Sequence, residues 1–164
     1  MKEILKYSKA NVCIKDEEGK ILFADSNLFV DSGRELIAKI FRGDVADAAL
    51  STKIACDLGD DATNSAPDQL DLINFTNSLA AGATIVSYPE APTGVHFQFT
   101  FTAAGDTIIR ELGLFYRPDS DSFPTRGSDP PTMTGTMIAR LKTTLSSITV
   151  ADTRTITIDW KIIF

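Results

Sequence analysis

Apolar residues fall at every second position along much of this chain. "VHFQFTFT" sets Val95, Phe97, Phe99 and Phe101 on one face and His96, Gln98, Thr100 and Thr102 on the other. "TITIDWKIIF" sets Ile156, Ile158, Trp160, Ile162 and Phe164 on one face. Such alternation marks strands with one face in a core and one in water, and it favours antiparallel pairing. "TIIRELGLFYR" (107–117) and "GTMIARLKT" (135–143) predict two more strands; "KIACDL" (53–58) and "ATIVSY" (83–88) predict shorter ones. "NVCIKDEEGKILFA" predicts an early hairpin with Glu18-Gly19 at its turn.

One stretch, "NLFVDSGRELIAKIFRG" (27–43), has a different period. Leu36, Ile37, Ile40 and Phe41 make a stripe at helical spacing. Ser32 and Glu35 have the spacing of a capping box, and Gly43 stands where a helix ordinarily stops. The expected helix covers residues 33–42. Six to eight short strands and one helix predict a mainly β fold, an antiparallel β-sandwich with one short N-terminal helix packed on it. No internal repeat or dividing linker appears. Two polar stretches, "LGDDATNSAPDQL" (58–70) and "RPDSDSFPTRGSDPPTMTG" (117–135), read as surface loops.

Composition narrows the function classes. The 164 residues suffice for one domain with a core, and 43% apolar with 23% charged residues is ordinary for a globular protein. A net charge of −6 argues against a nucleic-acid partner, which demands clustered Lys and Arg, and against an anionic membrane surface. No apolar run approaches the roughly 20 residues that span a bilayer. "MKEILKYSKA" lacks an apolar core followed by a cleavage site, so no signal peptide is expected.

Candidate chemistry is sparse. Cys13 and Cys56 stand far apart with a single histidine, His96, which argues against zinc. Two small buried thiols are expected, with a disulfide, within the chain or between subunits, as the alternative. Asp57, Asp60, Asp61 and Asp68 crowd one stretch, but without the spacing of a calcium loop a solvated turn is the expectation; the same holds for Asp119, Asp121 and Asp129. His96 has no nucleophile elbow to serve. "LAAGAT" lacks the Lys and spacing of a phosphate loop. Glu111 shares a face with Ile109, Gly113 and Phe115; a buried acid there needs a partner, and Arg140 in "MIARL" is the candidate. No catalytic, cofactor-binding or metal residue is therefore assigned. Phe123 and Met133, apolar residues in the long polar loop, are candidate anchors for a protein contact.

The order "NLFVDSGRELIAKIFRGD", "IACDLGDDATNSAP", "IIRELGLFY", "GTMIARL" and "TITIDWKIIF" resembles a family of tailed-bacteriophage virion proteins found in tail fibres, collars and baseplates. The resemblance runs over 27–164. It implies a division into an N-terminal arm or hairpin (1–26) and a single sandwich domain (27–164). It also implies a non-enzymatic structural role in the virion, most readily at the tail, collar or baseplate, with other copies of the chain and adjacent virion proteins as partners. A capsid decoration or cement protein is the second reading and a carbohydrate-binding receptor module the third. An enzyme comes last.

Overall fold

The computed structural model describes residues 9–42, 53–63, 66–79, 94–117, 135–141 and 147–163. The hairpin strands β1 (Lys9–Asp16) and β2 (Ile21–Phe29) lead into the helix α1 (Asp31–Arg42). Then come β3 (Ile54–Gly59), β4 (Phe75–Leu79), β5 (Gly94–Thr102), β6 (Thr107–Ile109) and β7 (Glu111–Tyr116). The last strands are β8 (Thr136–Leu141), β9 (Ile148–Val150) and β10 (Thr155–Ile163). Eight strands form one antiparallel sheet in the order β4-β3-β7-β8-β2-β1-β10-β5, and β6 pairs with β9 separately. The end strands β4 and β5 approach one another, so the sheet nearly closes into a barrel-like shape.

The fold class is the expected one, mainly antiparallel β with, among the described residues, one helix packed on it, and its two layers are halves of one sheet. β2 turns the corner between them. Its residues up to Ser26 pair with β1, and Asn27–Phe29 pair with β8. A strand that changes layers in this way lets a sheet fold over its own apolar face. Inside lie Val12, Ile14, Phe97, Phe99, Ile158 and Trp160 from one half and Cys56, Leu58, Leu112 and Leu114 from the other. In the first half the alternation read from sequence in β5 and β10 is the alternation of burial, except at Asp159, which is buried on the outward face. In the second, every residue of β3 and β7 is buried, because the outer face is covered as well. That face carries a second apolar cluster of Val30, Ala55, Leu72, Phe115 and Met137.

Four expectations are corrected. Residues 9–26 form the expected hairpin, but it is part of the sheet and not a separate unit: β1 lies between β2 and β10, and β2 between β8 and β1. The segment 107–117 is not one strand. It breaks at Arg110, whose amide donates to the Gly59 carbonyl (2.9 Å). Ile109 therefore enters the main core, while Glu111, Gly113 and Phe115 face the opposite way. The helix starts at Asp31, so Ser32 sits inside its first turn and donates its hydroxyl to the Met137 carbonyl (2.8 Å) instead of capping. Asp57 is a β3 residue, not part of the loop that follows. The expected strand 83–88, the stretch 118–134 with Phe123 and Met133, and the side chains of Phe41 and Phe164 lie outside the described residues. β4 and β9 had no expectation in the sequence reading.

The helix is held by its stripe and its start. Leu36 is in the main core, with Ile37 and Ile40 packed partly buried against it. Gly33 lies against β8 so closely that a Cβ would overlap the Ile138 carbonyl oxygen. Asp31 in the first turn and Lys39 and Arg42 in the last complement the helix dipole.

Candidate functional site

Among the described residues buried charge is concentrated at two places, one on each half of the sheet. On the covered face of β3, β7 and β8, Arg140 lies opposite Gly113, which has no side chain, and reaches diagonally to Glu111. Arg140 Nη2 donates to Glu111 Oε2 at 2.5 Å, and both side chains are 1% exposed. The expected polar pair is thus present, and its context explains it. The Glu111 carboxylate also accepts the amides of Ile73 (3.1 Å) and Asn74 (2.7 Å), while Arg140 Nη1 donates to Gln69 Oε1 (2.6 Å). Gly59, paired with Glu111, leaves room for that carboxylate, since a Cβ there would overlap it. One ion pair therefore pins residues 66–74 across the sheet as a strap. Leu72 is pressed into the second apolar cluster, and the Asp31 amide donates to the Pro67 carbonyl (2.6 Å), tying the strap to the helix start. Further along the same face Arg117 lies over the Phe115 ring, 5.2 Å from its centroid, and pairs with fully buried Asp57.

The second place is the outward face of β1, β10 and β5. Asp159 lies opposite Cys13 on one side and Gln98 on the other. Lys15 Nζ reaches its Oδ2 (2.7 Å), and His96 Nε2 and Gln98 Nε2 reach its Oδ1 (both 2.9 Å). Burial pushes the Asp159 carboxyl up, but the hydrogen bonds from Lys15, Gln98 and His96 and the Lys15 charge outweigh it. The carboxyl is held below its ordinary range. The same contact, first as a hydrogen bond and then as a charge, raises Lys15 above the ordinary lysine value.

Glu111 and Arg140 meet. His96 meets Asp159, Lys15 and Gln98 rather than a nucleophile motif. Asp57 pairs with Arg117 and Asp60 with Arg110 (2.9 Å), so the acids of 57–68 are not gathered round one point. Among the described residues no three potential metal ligands converge. Cys13 and Cys56 are free thiols, Cys13 half-buried and Cys56 buried. Burial, with the Asp57 charge adding to it, pushes the Cys56 thiol well up, so at neutral pH it is a packed thiol and not a thiolate. A cleft of about 200 Å³ at the β4–β5 seam is lined by Asp60, Thr76, Phe101, Asp106 and Thr107. The residues missed by sequence reading are Asp159, Lys15, Arg117 and Gln69. A carboxylate in the middle of an apolar strand ("TIDWK") was the available signal for Asp159. Nothing in the sequence marked Gln69, whose role depends on the strap's path.

These arrangements neutralise buried charge and fix strand register and strap position. An acid that already accepts two amides and a guanidinium is occupied as an acceptor, and Asp159 is likewise divided among three donors. No family model, no curated protein and no solved structure matches the chain.

Proposed function

We propose that this chain is a non-enzymatic structural subunit of a tailed-bacteriophage virion, associated with the tail, collar or baseplate, which binds copies of itself or neighbouring virion proteins. One observation carries the reading. Four of the five segments that resemble such proteins meet in space. Glu111 of "ELGLF" and Arg140 of "MIARL" form the buried ion pair. The strap that follows "GDDATNSAP" is what that pair holds, and α1 is tied to both the strap and β8. A set of motifs spent on fixing a scaffold suits a protein whose product is a shaped surface.

The test is the composition of particles released from cells carrying the gene. Peptides of this chain should be found in gradient-purified, nuclease-treated particles at a constant ratio to the major tail proteins. Abundance in the lysate with absence from the particles would overturn the proposal.

A further inference from the structure

The strap buries Leu72 and exposes its neighbours. Leu70 is 71% and Ile73 is 53% exposed. A single exposed leucine needs no explanation. Here two large apolar side chains stand within four residues on a segment whose backbone is fixed from three directions. Glu111 holds the amides of Ile73 and Asn74, Arg140 holds Gln69, and the helix start holds Pro67. Gln69 also donates to the Asp71 carbonyl (2.8 Å). The backbone that carries the two side chains is thus held before any partner arrives, which lowers the ordering cost of binding.

The rim of this patch is acidic. Asp68 and Asp71 are exposed, and Asp61 is half-buried on the preceding loop. Hydrogen bonds from the Thr63 hydroxyl and amide hold the Asp61 carboxyl below its ordinary range. Among the described residues none of these three forms an ion pair with Lys or Arg. The cations whose charge reaches Asp61 are committed elsewhere, Arg140 to Glu111 (2.5 Å) and Arg110 to Asp60 (2.9 Å).

We infer that the strap is a docking surface for a different protein, one that presents apolar side chains flanked by Lys or Arg. This rests on the structural-subunit reading and names its contact. A second copy is the poorer occupant: a two-fold contact sets a patch against itself, placing these carboxylates opposite carboxylates on a chain of net charge −6.

The experiment selects a displayed peptide library on the full chain. Enriched peptides should combine apolar residues with Lys or Arg. They should bind at least tenfold more weakly to a Leu70→Asp, Ile73→Asp variant and at least threefold more weakly to Asp68→Asn, Asp71→Asn. Leu70→Ser, Ile73→Ser serves if the first variant's thermal unfolding departs from wild type. Acidic enriched peptides, or equal binding to the double variants, overturn the inference. So does a wild-type dimer in sedimentation that the Leu70, Ile73 variant dissolves. Particle composition separates the two proposals. Normal incorporation of the Leu70, Ile73 variant sinks the docking surface alone. Absence of wild-type protein from particles, with selective peptide binding retained, sinks the virion reading alone.

Discussion

Asp159 is 2% exposed on the outward face of its strand, because Lys15, His96 and Gln98 close over it. Its carboxyl sits below its ordinary range in the folded protein. The stability it contributes is therefore present above the carboxylate's unfolded value and is lost as pH falls through the lower folded one. Asp159→Asn should destabilise the protein at pH 7, and the gap from wild type should shrink steadily below about pH 4. Urea unfolding of both proteins across that range measures it. A gap independent of pH would show that the carboxylate's charge contributes nothing. Glu111 is the sharper case, because its removal strands a guanidinium and two amides. Glu111→Ala should cost about 3–5 kcal/mol, the usual penalty for breaking a buried pair from one side, read by chemical denaturation. A loss below about 1 kcal/mol would mean that water had replaced the carboxylate.

Among elements, α1 shows how a local signal and a tertiary contact divide the work. Its apolar stripe commits Leu36 to the core, so Leu36→Ala should cost roughly 2–5 kcal/mol. Its position depends instead on a missing side chain. At Gly33 a methyl group would meet the Ile138 backbone, which a sheet strand cannot yield cheaply. Alanine ordinarily improves a helix interior by nearly 1 kcal/mol over glycine. Here Gly33→Ala should lower the melting temperature, with a cost of about 1–3 kcal/mol typical of overpacking. A rise in melting temperature on calorimetry would show that the helix can slide off β8.

For the whole molecule the consequence lies in strand order. β1 and β10 come from opposite ends of the described chain and lie side by side along their length, Lys9 with Ile163 through Asp16 with Ile156. Each is interior to the sheet, so removing either opens two ladders at once. Deleting residues 1–20 should therefore abolish cooperative unfolding, as should deleting 157–164, with both judged by near-ultraviolet circular dichroism and thermal melts. A folded 21–164 fragment would require β2 and β10 to pair directly. Such closure by distant segments implies slow folding relative to a helical protein of this length, because loop closure precedes the contacts that reward it.

The choice of elements and the inward face of half of them could be read from the residues alone. Period-two patterns at 95–102 and 155–163 are β5 and β10 with Phe97, Phe99, Ile158 and Trp160 inside, and the helical stripe at 36–40 is α1. Those signals are local, since a side chain's face is set by its neighbours two or four residues away. The Glu111–Arg140 pair was also legible, because an acid in an apolar strand demands a partner and one arginine stood in a similar strand. The rest depended on contacts between segments far apart in the chain. Burial of β3 and β7 on both faces depends on the strap that covers them. The neutralisation of Asp159 depends on register between strands some sixty and over one hundred and forty residues apart in the chain. The place of residues 9–26 inside the sheet turned on the partners their strands found. Strand pairing is a long-range choice among many hydrogen-bonded ladders of similar local energy, and it is settled by which one buries the most apolar surface at once.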